Sequence, residues 1–476
     1  MNRAAEWSAS DLLPFLLCQT VAAVLRLGYL TAFCDNGLTA GPIQVEDPPP
    51  RVAVAEGVKL RGQDSPTEFD ALVDHVRNDG AFSCRAPFAG GEEVTAHVAP
   101  GYPWLVAQFS RVIDPPDRVL RWGQAVLGSV TVGMYYLFAR VAFRSRAVAL
   151  LTGIFCALDP AWIVMPTALS ETTLLTFVLS LVLFTGMRGG TEGGYVNALV
   201  FGLGLAVLSL LRASYLPFAL VALVWFLERC RMVVRHGRWL NAGLAAVSFL
   251  GLLALWVIRD GREFGRVVPV VDSAGLHLFE GAGPGATGAP RPERDSLRAL
   301  AEAQGEDPAA LGDRLGATPQ PRRYNELGRA ALASVRDDPA AYFSQRLTAA
   351  IGFFLGGDWP ATRQTYRGGL PGGEGVGGWL AARTPLIFAA FVVGMLAFAL
   401  LGWRWSFAFH FDSMPLALVL IWVPLPYLLT HCEALPGPRL PLDGPLLTLA
   451  AFALVALTPK LGPRLIAEGE MGRPNV

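Results

Sequence analysis

Charge is what this sequence has least of. Of its 476 residues only 16% are charged and 53% are hydrophobic, whereas a soluble globular domain ordinarily carries about 25% charged residues. A long soluble chain of this composition would lack the charged surface that keeps it in water. Burial in a bilayer removes that need. An excess of basic residues is also missing: Lys plus Arg and Asp plus Glu each number 39. With no overall positive field to attract it, nucleic acid is not an expected partner. Cysteine is scattered. Cys18, Cys34, Cys84, Cys156, Cys230 and Cys432 form no C-x-x-C pair, which argues against a local zinc or iron–sulfur module. No Walker loop, H-E-x-x-H, G-x-S-x-G or dinucleotide fingerprint stands in a supporting context, and no solenoid repeat is present.

What the sequence does have is long apolar runs. Spanning a bilayer takes roughly 20 apolar residues, and runs that approach this length fall at 12–33, 119–141, 147–164, 168–187, 196–211, 215–227, 240–258, 386–403, 414–429 and 446–457. They define an all-α polytopic membrane protein with about ten spans. The N-terminal run follows a single Arg and shows no small-x-small cleavage pattern, so it reads as an uncleaved first helix (1–33), not a signal peptide.

Arginine sets the orientation. Arg140, Arg144 and Arg146 follow the second run and Arg188 the fourth. Arg229, Arg231, Arg235 and Arg238 crowd the turn after the sixth, Arg404 follows the eighth, and Lys460 and Arg464 follow the tenth. These are alternate connections, as a single cytoplasmic side requires. An even number of spans puts both termini in the cytoplasm, with a tail at 460–476. The membrane expected is the inner (plasma) membrane of a bacterium. Between the spans of 119–258 and those of 384–459 lies a long segment, 259–383. A second, 34–118, lies between the first and second spans. Both are placed outside, and neither carries an apolar run long enough for a large separate core. Within the later segment the spacing predicts helices at 294–304 and 322–336. The stretch 342–355 has the pattern of a helix lying in the interface or re-entering the bilayer. Cys34 and Cys84 both fall in the first outer loop, either as a disulfide or as two free thiols.

The polar residues that stand out gather at the outer ends of the spans, where charge is costly and usually has a partner or a task. Arg212 lies in the turn between the fifth and sixth spans, Arg259 at the outer end of the seventh, and Arg439 before the tenth. A guanidinium fork suits a phosphate, and lipid phosphates sit at this depth. Snorkelling or a structural ion pair is the plainer alternative for each. The first outer loop holds the carboxylates Asp64, Glu68, Asp70 and Asp74 around the start of a helix that Ser65 or Thr67 could cap. Downstream, the rigid turn 95–103 contains His97 and Tyr102 and leads the chain back to the membrane. Glu171 begins the fourth span, where capping and a functional role are both open. For Asp159, before Pro160, capping is preferred.

In chain order these segments resemble the GT-C membrane glycosyltransferases, in particular the family 39-like group of protein mannosyltransferases and aminoarabinose transferases. Glu68-Phe69 with Gly80-Ala81-Phe82-Ser83 resembles that group's acid-and-aromatic first loop. Residues 95–103 are similar to its P-P-G-Y-P turn, 157–171 to a segment ending in L-S-E, and 211–218 to R-P-x-x-L. The likeness continues through 256–260, 264–265 and Gly275 to Gly281, and ends in Thr430-His431 and 438–443, which are similar to R-Y-R-x-P-x-D-P. The sequence departs from the pattern in three places. Ser65 stands where the family usually has an Asp, with Asp64 one residue earlier. Ala213 replaces a Pro, and the first Arg and the Tyr of R-Y-R are missing.

The resemblance implies an inverting transfer of a sugar from a polyprenyl-phosphate-linked donor to an acceptor hydroxyl or amine outside the membrane. Glu68 or Asp64 would be the general base, and Arg212, Arg439 and, less centrally, Arg259 would stabilise the leaving lipid phosphate. His97, Tyr102, Glu171 and His431 would orient donor or acceptor. It implies no nucleotide sugar and no required soluble cofactor, leaves a divalent metal open, and names no metal ligands. Two other readings stay open: a transporter or lipid-binding protein, and an inactive relative that serves as an assembly partner. Intramembrane charges midway along the spans would favour the transporter, but the runs are nearly free of acids.

Overall fold

The computed structural model describes residues 9–31, 68–113, 116–167, 170–233, 237–288, 292–355, 376–406, 409–430, 439–463 and 465. The chain begins with helix α1 (Ala9–Tyr29), and α2 (Glu68–Asn78) follows in the first loop. A two-stranded antiparallel hairpin, β1 (Ser83–Arg85) and β2 (Glu92–Val94), leads to α3 (Gly101–Ser110). Next come α4 (Pro116–Phe143), α5 (Arg146–Leu158), the short α6 (Pro160–Val164), α7 (Thr172–Glu192) and α8 (Tyr195–Leu211). After a 3₁₀ turn (Ala213–Tyr215) the chain forms α9 (Leu216–Val233) and α10 (Arg238–Phe264). The later loop segment contributes α11 (Ala274–Ala282), α12 (Glu293–Gln304), α13 (Pro308–Ala317), α14 (Gln320–Asp337) and α15 (Pro339–Leu355). The chain closes with α16 (Val376–Ser406), α17 (His410–Trp422), α18 (Leu425–Leu429) and α19 (Leu440–Ala456).

The described residues of all ten apolar runs are mainly helical, but not every run is a span by length. Among the described residues, six helices are long and apolar enough to cross a bilayer: Asp11–Tyr29, Val119–Phe143, Thr172–Gly190, Ala213–Met232, Trp239–Phe264 and Asp412–Leu429. The helices Arg146–Leu158, Tyr195–Leu211 and Leu440–Ala456 are shorter, whereas α16 runs for 31 residues. The run expected at 147–164 is two helices, for a local reason. The Asp159 carboxylate accepts the Ala161 N–H at 2.9 Å and Pro160 takes the first position of α6, a start signal that ends α5 and begins a new helix.

α19 is the centre of the bundle. All its residues except Leu454 and Ala456 are buried, as expected of a helix that is apolar on every side. It packs on α16, α5 and α7. Gly402 of α16 lies against the Leu449 backbone so closely that a side chain at 402 would collide with it. This is the small-residue contact that draws helices together where no hydrophobic force acts between them.

The two ends of the bundle differ. At one end, buried Asp11 accepts hydrogen bonds from Arg140 (3.1 Å) and Arg146 (3.0 Å). There too, Asp412 pairs with Arg144 (3.2 Å) and Arg229 (2.5 Å). Arginines from two connections, after α4 and after α9, thus converge at this basic end. At the other end the loop segments build a cap with a small core of its own. Phe88, Phe279, Leu300, Leu315, Tyr324 and Leu327 are buried together there, although no apolar run in the sequence announces it. The expected helices at 294–304 and 322–336 are α12 and α14.

Candidate functional site

The site expected from the sequence lies at this loop end, and the structure joins parts of it. The Arg212 guanidinium reaches from the α8–α9 turn to the carboxylate that starts α7, donating from Nε to Glu171 Oε1 at 3.0 Å and from Nη2 to the same oxygen. Its Nη1 donates to the Tyr427 hydroxyl at 3.0 Å, and that hydroxyl also meets Ser214 Oγ at 2.9 Å. The Arg212 and Glu171 side chains are 18% and 10% exposed, so the pair sits at the rim of the bundle, not sealed inside it. Arg212 is extended (φ −153°) because α8 stops at Leu211. The side chain therefore leaves the helix axis at the point where α7, α9 and α18 meet.

The return turn packs against the same place. At Gly101, a Cβ would come within 2.9 Å of the Leu210 carbonyl oxygen and 3.0 Å of Leu211 N, so only glycine lets the turn touch the end of α8 beside Arg212. Next to it, buried Tyr102 has its hydroxyl 3.3 Å from Gln124 Oε1, and Gln124 in turn donates to the Pro166 carbonyl at 3.3 Å. Tyr102 thereby ties α3 to α4 and to the stretch before Glu171.

α2 packs beside α3, and Arg111 joins their C-terminal ends by donating to the Val76 and Arg77 carbonyls at 3.0 and 3.2 Å. Asp64, His431 and the side chain of Glu68 lie outside the described residues, as does Cys34.

Arg439 is elsewhere. It is only 2% exposed, faces into the bundle, and has Nη1 at 3.1 Å from Asp443 Oδ1. Asp159 lies within electrostatic range of Arg439 and of Arg26. Arg26, from α1, is equally buried and donates to the Cys156 carbonyl at 3.0 Å. Trp162 closes the group by donating to the Leu440 carbonyl at 3.0 Å. Arg439 Nη1 and Asp443 Oδ1 meet as an ion pair and not as an aligned hydrogen bond, and among the described residues Arg439 Nε, Asp159 Oδ2 and the Tyr135 hydroxyl are buried without a hydrogen-bond partner. Asp159 therefore caps α6, as expected, and also belongs to a buried charge cluster that the sequence reading did not assemble.

Arg259 and His97 hold the cap. Arg259 pairs with Asp260 at 2.6 Å, donates to the Phe82 carbonyl at 3.4 Å and stacks over the rings of Trp256 and Phe82. This locks the end of α10 onto the first loop. His97 Nδ1 stands 2.5 Å from Thr95 Oγ1. Desolvation, with help from neighbouring His277 and Arg323, pushes its pKa from the ordinary 6.5 down to about 3, so it is neutral at ordinary pH. Buried Arg323 pairs with Glu93, and Gln320 Oε1 accepts the Ala96 N–H at 3.2 Å. These bonds fasten α14 to β2 and to the return turn. Among the described residues no three His, Cys, Asp or Glu side chains group as metal ligands would.

Sequence reasoning missed Tyr427, Ser214 and Arg26. Arg26 could have been found as an arginine inside an apolar run. Tyr427 carries no signal, because an aromatic residue near a span end is ordinary.

Comparison with known proteins finds likeness in one stretch of the sequence and in the fold. A family model described as dolichyl-phosphate-mannose-protein mannosyltransferase matches residues 97–256, a stretch that includes Gly101 of the return turn, Asp159, Glu171 and Arg212. Among solved structures, the fold is similar to the apo oligosaccharyltransferase of Archaeoglobus fulgidus, at 14% identity and a TM-score of 0.50, covering 98% of this chain and 52% of that one. The same enzyme tethered to an acceptor peptide with an NVT sequon also matches, at 15% identity and a TM-score of 0.44, covering 97% and 53%. The chain thus spans about half the length of the oligosaccharyltransferase it matches. No curated protein matches it.

Proposed function

We propose that this protein transfers a sugar, with inversion, from a polyprenyl-phosphate-linked donor to an acceptor at the loop end of the bundle, on the extracytoplasmic face of the membrane. The observation that carries the reading is Arg212. A guanidinium is held at the bundle rim by Glu171 and Tyr427, beside the return turn and inside the family-matched stretch. Donor phosphate and lipid tail belong to one molecule, so a cation at the edge of apolar helices suits both parts. The leaving group is a lipid phosphate, which needs positive charge more than it needs a proton. A hydroxyl acceptor is a poor nucleophile, so a carboxylate of the first loop, Glu68 or Asp64, serves as base. Arg439 and Arg259 support the site from within the bundle and from the cap. Tyr102, His97, Glu171 and His431 orient the reactants.

The competing reading gives Arg212 a purely structural role, and its filled donors favour that. The two are separated by kinetics on protein in nanodiscs, with radiolabelled polyprenyl-phosphate sugars as donors. Arg212→Ala is expected to lower kcat/KM for the donor by roughly 10²–10³ with a smaller effect on acceptor KM. Equal loss toward both substrates would assign Arg212 to folding.

A further inference from the structure

Helix α15 carries an outward apolar stripe. Phe343, Leu347 and Ile351, spaced by four residues and so aligned on one face, are 74%, 57% and 52% exposed. Single exposed hydrophobic residues are ordinary, but a stripe of three large ones marks a contact surface. The helix has one charged residue, Arg346, and it is turned inward. Its Nη1 donates to the carbonyls of Leu428 (3.2 Å) and Thr430, and its Nη2 to that of Gly281 at 2.6 Å. The guanidinium therefore sits on the C-terminal carbonyls of α18 and α11, where the helix dipoles favour a cation. No charge of α15 is left for its outer face.

What covers the stripe follows from its neighbours. The Tyr342 hydroxyl donates to the Leu429 carbonyl at 3.1 Å, and Leu429 ends the span Asp412–Leu429 with its side chain 51% exposed. Three turns further along, buried Phe353 packs on the Tyr427 ring at 5.4 Å and belongs to the same core as the spanning helices. α15 thus runs alongside the last turns of a span, and its stripe continues the apolar surface of that span. Val392 and Met395 of α16 are buried in that core as well, so the helix that follows joins the same bundle.

We propose that α15 is an interfacial helix whose Phe343, Leu347 and Ile351 face inserts among the acyl chains of the outer-leaflet phospholipids. It anchors the cap to the bilayer beside Tyr427, the residue that holds Arg212. The proposal rests on the membrane reading and not on sugar transfer, so its failure leaves the transfer assay untouched.

The test uses the full chain in phosphatidylcholine nanodiscs, one copy per disc. A small fluorescent amino acid is placed at position 343, 347 or 351, and at 303 in α12 as a control. Phospholipids spin-labelled on the acyl chain should quench positions 343, 347 and 351 several-fold more than 303. Quenching at the three stripe positions no greater than at 303 would overturn the proposal. Should the labelled variants fold poorly, unmodified protein with an acyl-diazirine phospholipid gives a second measurement. Lipid adducts within 339–355 and none within 293–304 are expected. Absence of adducts from 339–355, or adducts there no more frequent than within 293–304, would equally refute it.

Discussion

Arg212 and Glu171 stand 41 residues apart in the chain and meet at 3.0 Å between Nε and Oε1. The pair locks the turn after α8 to the start of α7, and Tyr427 joins from α18 to complete the junction. Glu171→Gln removes the negative partner of a mostly buried guanidinium, a change that costs on the order of 3 kcal/mol. Thermal unfolding in detergent should show a lowered midpoint, and donor KM should rise. A variant with unchanged midpoint and unchanged KM would mean that the pair does not hold the junction together.

Gly101→Ala tests whether the return turn must touch α8. The added Cβ meets backbone, which cannot rotate away, so overpacking of about 1–3 kcal/mol is expected. Activity should fall further than stability, because the turn shifts away from Arg212. Full activity at reduced stability would detach the turn from the site.

His97 gives a pH signature. The folded side chain resists protonation until about pH 3, while the unfolded one takes a proton near 6.5. Its contribution to stability is therefore complete above pH 6.5 and is lost as pH falls from there toward 3. Between pH 6.5 and about 5, before most carboxylates titrate, wild-type protein should lose more stability than His97→Gln. Parallel profiles for the two proteins in that window would contradict the assignment.

The base is tested by Glu68→Gln and Asp64→Asn. One of the two should lower kcat by roughly 10²–10⁴ with little change in donor KM, the pattern of a lost general base. If both variants turn over normally, the base lies elsewhere.

Much of the fold was legible in the sequence, because apolar runs and caps act locally. The helices at 294–304 and 322–336 appear within two residues of the expected ends, as α12 and α14. Arg140, Arg144 and Arg229 collect at one end, as their spacing implied, and share Asp11 and Asp412 there. What was hidden depends on distant contacts. The core beneath Phe88 and Phe279 joins the first loop to the later one, and each contributes too few apolar residues to show as a run. The sequence marked Arg212 and Glu171 separately, but the ion pair between them exists only once α7 and α8 pack. Arg439 looked like a loop residue because Pro436, Gly437 and Pro438 precede it, yet it faces inward beside Asp443 and Asp159.

The most direct measurement follows the donor. Purified protein in nanodiscs is incubated with a small panel of polyprenyl-phosphate sugars labelled in the sugar, together with membrane extract as acceptor source. The extract comes from cells that lack this protein. Label should leave the lipid fraction with one donor of the panel, release free polyprenyl phosphate in equal amount, and do so at least 100-fold more slowly with Arg212→Ala. Retention of label on every lipid with the wild-type protein, or release that is unaffected by the substitution, would contradict the account.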